Sequence, residues 1–151
     1  MKATASHHLA ATVLGVLSAL YAATFFLGAL LHTGTRVPVG FAVLAEPRID
    51  PAIVVESLCG SALAVGAYAL LTGRRWAWAA AIASHAFALA GVLLGTAAVA
   101  AGRGPHSVLN DTYHRVMIVV LIAGLVALSM SAVKTALRHR NGPLVTERAA
   151  R

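Results

Sequence analysis

Four apolar runs divide this chain, and each is long enough to cross a lipid bilayer as a helix. They extend from about Leu9 to Leu31, Ala52 to Leu71, Trp76 to Ala101 and Tyr113 to Leu137. A hydrocarbon core of about 30 Å needs roughly 20 apolar residues in helical form. Within it every backbone N–H and C=O must be satisfied inside the segment, which a helix does locally. The runs therefore predict an all-α integral membrane four-helix bundle, with residues 1–151 as one domain. Composition agrees with this, because only 11% of the residues are charged against roughly 25% in soluble domains. Disorder, a disulfide scaffold and a soluble enzyme with a conventional polar surface are excluded. The one cysteine, Cys59, cannot pair within the chain and sits inside an apolar run, where it reads as a small buried hydrophobe.

The breaks between the runs carry turn chemistry. Thr72-Gly73-Arg74-Arg75 is a tight polar turn, and Gly102-Arg103-Gly104-Pro105 ends the third run with helix breakers. The first two runs are separated by a longer segment holding Pro38, Pro47 and Pro51. Its part Glu46-Pro47-Arg48-Ile49-Asp50-Pro51 reads as a stiff loop that could lie across the mouth of the bundle as a lid. The first run is longer than the 7–15 apolar residues of a cleaved signal, so it is expected to remain as a span.

Orientation follows from the bases, which are enriched on the cytoplasmic side of membrane proteins. Four spans place Lys2, Arg74, Arg75, Lys134, Arg138, Arg140, Arg148 and Arg151 on one side, against Arg36, Arg48, Arg103 and Arg115 on the other. Both termini are thus expected in the cytoplasm, with the longer loops outside. A net charge of +7 would suggest nucleic acid in a soluble protein. Here orientation accounts for the bases, and the bilayer, not a nucleic acid, is the expected partner. Small residues form stripes that let membrane helices approach closely. They are Ala11, Gly15, Ser18, Ala22 and Ala29 in the first span, continued by His32, and Ser84, Ala88, Gly91, Gly95 and Ala98 in the third.

Ionisable residues inside a membrane are expensive, about 2.5–3.5 kcal/mol each at a helix centre on insertion scales, and they mark candidate sites. Glu56 lies about one turn into the second span, His32 closes the first, and Asp111 and His114 open the fourth on a shared face. At 1.5 Å per residue all four fall within one or two turns of the outer surface. His85 lies roughly 20 Å deeper on the same scale, so it stands apart from this layer. Asn110 or Asp111 reads as the N-cap of the fourth helix, and Arg115 can either snorkel outward or pair with Asp111, Glu46 or Asp50. The economical arrangement turns Glu56, His32 and His114 inward, hydrogen-bonded to one another beneath the Pro-rich loop. A buried carboxyl in such a pocket suits proton exchange with a quinone or a transported ion. Two histidines at one depth could also clamp a haem, but the local attachment signature is absent. No metal-ligand spacing, phosphate-cradling loop or nucleophile triad occurs, and the residues name no cofactor.

The stretch Val55-Glu56-Ser57-Leu58-Cys59-Gly60-Ser61-Ala62-Leu63, followed by an apolar tail and Gly73-Arg74-Arg75, resembles the second span of the DoxX-like family of small four-helix bacterial membrane proteins. About 30 residues carry the likeness. Glu56 and Gly60 match the family's glutamate and following glycine, whereas the usual glycine pair is Cys59-Gly60 here. The resemblance implies association with a membrane redox complex, in some members as a quinone-reducing subunit. Two functions stay open on this reading. One is an accessory, oxidoreductase-associated subunit whose outer polar pocket contacts a quinone or a partner protein. The other is an independent proton-coupled transporter or membrane enzyme, alone or as a homo-oligomer, using Glu56 and His85. Topology is testable first: reporter fusions at Thr72 and at the C-terminus should both report the cytoplasm, and opposite sides would overturn the four-span arrangement.

Overall fold

The computed structural model describes residues 2–149, with side chains described for residues 8–132. It contains α1 (Lys2–Leu31), a hairpin of β1 (Val37–Val39) and β2 (Ala42–Leu44), α2 (Asp50–Leu71), α3 (Ala77–Ala100) and α4 (Val108–Ala149). The parts long and apolar enough to cross a membrane are His8–Leu31, Asp50–Leu71, Ala77–Ala100 and Val108–Ala132. The shortest, of 22 residues, rises about 33 Å, which matches a hydrocarbon core.

Helices α2 and α4 start earlier than the apolar runs suggest, for local reasons. In α2, Pro51 stands in the first turn, where its missing N–H costs nothing and its fixed φ favours the helix. In α4 the cap is Ser107, whose hydroxyl accepts the Asn110 N–H at 2.9 Å. Asn110 and Asp111, the caps expected from sequence, are already inside the helix. The expected breaks hold. Gly73 adopts a left-handed φ of 65° after α2, and the next N–H, of Arg74, reaches back to the Ala69 carbonyl at 3.0 Å. Gly102 does the same after α3 with φ 70°, Arg103 bonding Ala98 at 2.9 Å. Both are the paired C-terminal closure in which glycine avoids the Cβ clash.

The hairpin was not anticipated. Val37-Pro38-Val39 pairs antiparallel with Ala42-Val43-Leu44 across the two-residue turn Gly40-Phe41. Its signal was present as alternating β-branched residues around a glycine, masked by the prolines nearby.

The helices pack in chain order, α1 on α2, α2 on α3 and α3 on α4, with a slimmer contact between α4 and α1. Between α1 and α4, Thr24 donates to the Met117 sulfur at 3.7 Å, and the rings of Phe25 and Tyr113 meet edge-to-face. One apolar cluster toward the hairpin end joins Ala22, Phe25, Cys59, Leu63, Ala88, Val92, Met117 and Leu121. A second, toward the Gly73 turn, joins Ala69, Leu70, Ala77, Ala81 and Leu128. Large apolar side chains such as Leu20, Val65, Phe87 and Val119 point outward, as lipid requires. The stripe in α1 is a packing seam, with Gly15, Ser18, Ala22, Ala29 and His32 buried.

Backbones approach most closely at glycines. A methyl group added at Gly66 would lie 2.6 Å from the Ser84 hydroxyl and 3.2 Å from the Ala81 Cα. At Gly95 it would meet only the His114 ring, at 3.5 Å, an ordinary contact. Gly66→Val should therefore force α2 off α3 and cost about 1–3 kcal/mol as overpacking, whereas Gly95→Ala should stay within about 0.5 kcal/mol. Unfolding midpoints in mild detergent check both, and equal midpoints would contradict the seam.

Candidate functional site

A cavity of about 270 Å³ opens at the hairpin end of the bundle, between the start of α2 and the end of α3. Its walls are mostly hydrocarbon: Phe25, Ile49, Val55, Val92, Leu94 and Val99, with Gly91, Gly95 and Ala98 along α3. The polar members are His32, Glu56, Arg103, Asn110 and His114. Three of the five residues singled out by sequence, Glu56, His32 and His114, thus line one cavity.

Each is positioned by its own helix. Glu56 falls on the inner face of α2 with Cys59, Gly60 and Leu63. Its carboxyl lies against α1 where that helix has no side chain, since a methyl group on Gly28 would come within 2.7 Å of Oε2 and 2.9 Å of Oε1. His32 lies one turn beyond Gly28 and is buried. Its Nδ1 faces the Pro47 carbonyl at 3.5 Å. Its Nε2 faces Glu56 Oε1 at 3.8 Å. A carbonyl can only accept, so Nδ1 is the nitrogen that carries the proton when the ring is neutral. Nε2 is then left as an acceptor turned toward the carboxyl.

The expected mutual hydrogen bonds are not made. The residue is 4% exposed, yet neither carboxyl oxygen of Glu56 has a hydrogen-bond partner. The 3.8 Å gap to His32 exceeds hydrogen-bond distance, and a donor of about the size of a hydroxyl can bridge such a space. Buried polar groups are nearly always partnered, and those that are not call for an explanation in function.

The Pro-rich segment reaches the edge of the cavity. Ser107 donates its hydroxyl to Glu46, with Oε1 at 2.6 Å and Oε2 at 2.8 Å. The same hydroxyl caps α4. This staples the segment before α2 to the start of α4, and Ile49 of that segment lines the cavity together with Pro51 in the first turn of α2. The Ile49 N–H also donates to the His32 carbonyl at 3.0 Å.

Other expectations are corrected. Asp111 does not join Glu56. It faces His106 at 3.7 Å and lines a second cavity of about 170 Å³ with Thr96, Val99, His114 and Arg115. Depth alone grouped it with Glu56, but its direction around α4 differs. The carboxylates proposed for Arg115 are taken by other groups: Asp50 pairs with Arg48 at 2.8 Å, Glu46 with Ser107 and Asp111 with His106. Asn110 is buried and lines the cavity instead of capping the helix. Arg103, Asn110 and Ser107 were missed as site residues, because nothing in their spacing points at Glu56.

His85 is held apart, as its depth required. Its Nδ1–H donates to the Ala81 carbonyl at 2.8 Å. Its ring meets Tyr21 edge-to-face and packs on Gly124. It lines neither of the two cavities. Among the described residues no group of three or more His, Cys, Asp or Glu converges to hold a metal ion. Comparison with protein-family models, curated proteins and solved structures returns no match to this chain.

Ser107→Ala removes a cap worth about 0.5–2 kcal/mol and the tether on Glu46 together. Amide hydrogen exchange should quicken in residues 46–51 and in the first turn of α4, with the Gly73 turn unchanged. Unaltered exchange in 46–51 would mean that the staple does not hold that segment.

Proposed function

We propose that this chain is an accessory subunit of a membrane redox complex whose cavity holds the head of a lipid-soluble quinone or quinol. Glu56 and His32 exchange the proton of that head group, and the electrons pass to or from a partner redox protein. The observation that carries this reading is the Glu56 carboxyl, buried in a mainly apolar cavity with both oxygens lacking a donor. A phenolic hydroxyl of a quinol supplies the missing donor and fits beside hydrocarbon walls. A charged, strongly hydrated solute would have to shed its water against those walls.

Two further features support it. Leu94 lines the cavity and is 65% exposed on the lipid side of α3, which suits a ligand whose tail stays in the bilayer. The resemblance of the second span to the DoxX-like family, carried by Glu56 and Gly60, implies the same class of partner. The distribution of bases supports an outward-facing cavity, with both termini in the cytoplasm of a bacterial inner membrane.

The proton step uses only residues already described. A quinol hydroxyl between Glu56 and His32 donates to one of them, and the pair can hold the proton on either group. As the ligand loses electrons, its hydroxyl becomes more acidic and the proton stays with the pair.

Calorimetric titration of the detergent-solubilised protein with a short-chain quinol should show saturable binding. Glu56→Gln keeps the shape but removes the carboxylate acceptor, so affinity should fall about tenfold or more, the equivalent of about 1.4 kcal/mol. Ala98→Leu should abolish binding by filling the cavity, with the unfolding midpoint kept. Wild-type affinity in both variants, or no saturable binding by the unaltered protein, would overturn the reading.

A further inference from the structure

We propose that His114 is the relay through which Glu56 exchanges its proton with water. The proposal deepens the reading above and rests on its claim that Glu56 exchanges protons. Glu56 is buried, and besides the opening at the hairpin end a proton it gains or loses can leave through a wall shared with a second cavity. Of the residues that line the Glu56 cavity, only Val99 and His114 also line the second one.

Valine carries no proton, which leaves the imidazole. The second cavity carries exposed ionisable side chains: that of His106 is 67% exposed and that of Asp111 39%. Its polar wall includes Thr96 and Arg115. His114 itself is half-buried, and its ring lies over Gly95, where the absence of a side chain leaves it room.

The groups around the ring suit transfer in both directions. The charges that reach it are His32 from α1, Glu46 from the segment before α2 and Asp111 one turn earlier on α4. Arg115 and His106 stand in the second cavity. From α3 the facing residues, Gly95, Thr96 and Val99, carry no charge. Imidazole is the side chain that binds and releases protons near neutral pH, on two distinct nitrogens.

The step balances as proton transfer alone. The O–H bond of protonated Glu56 breaks, and the proton reaches one nitrogen of His114 through a water in the cavity. The imidazolium then releases the proton on its other nitrogen to Asp111 or to water. A ring rotation restores the first tautomer, and no electron moves.

The test needs no ligand. The infrared carbonyl band of protonated Glu56, assigned by its loss in Glu56→Gln, is followed after a pH jump in liposome-reconstituted protein. His114→Gln keeps the size and hydrogen bonding of the ring but cannot take up the proton. It should slow the band at least tenfold while leaving its final amplitude unchanged. His114→Ala should be slow as well, and its rate should rise with added imidazole, a rescue that a merely structural role would not produce. Wild-type kinetics in His114→Gln, or a slow His114→Ala rate indifferent to imidazole, would overturn the relay. Quinol binding is scored separately. A relay phenotype without saturable quinol binding keeps His114 and removes the quinone, whereas a Glu56 that shows no carbonyl band at any pH removes both.

Discussion

The seating of α1 on α2 governs the rest of this molecule, because the buried carboxyl depends on it. Lipid offers no hydrophobic drive between helices, so association relies on close packing and on polar contacts. Gly60 rests against Phe26 and the Ala22 carbonyl, and Gly28 leaves the space that the Glu56 carboxyl fills. A side chain at Gly28 would push that carboxyl away from α1 and from His32. The seam that joins the helices is thus also the seam that aims the acid.

Along α3 the stripe of small residues does two different things. Ser84 and Ala88 are buried against neighbouring helices, and a methyl group on Gly91 would come within 2.7 Å of the Cys59 sulfur. One turn on, Gly95 meets only the His114 ring, and Gly95 and Ala98 bound open space. The cavity begins where the helices diverge while the residues stay small. Its floor is the apolar cluster around Phe25, Cys59 and Val92, which separates it from His85. A continuous Glu56–His85 proton path would have to cross that packed layer.

The segment between hairpin and α2 reaches the edge of the cavity. A single serine hydroxyl, on Ser107, both caps α4 and holds Glu46, so that segment and the fourth helix are ordered together. Pro47 contributes through its carbonyl, which orients His32. A site of this kind joins three separate chain segments through short polar contacts, while the spans themselves rely on apolar packing.

Sequence by itself determined the number of the spans, the glycine closures at Gly73 and Gly102, and the position of each ionisable residue along its span. These are one-dimensional quantities: run length, turn chemistry, and 1.5 Å of rise per residue. Depth was enough to set Glu56, His32 and His114 in one layer and His85 below it. It was not enough to separate Asp111 from them, since residues at equal depth can point to different sides of a helix. Nor could it distinguish Ser107 from Asn110 as the cap, find the hairpin between prolines, or tell which half of the α3 stripe packs and which half bounds a cavity. Direction around a helix axis is decided by which neighbours the helix meets. Here that depends on close approaches between residues far apart in the chain, so only the tertiary structure could supply it.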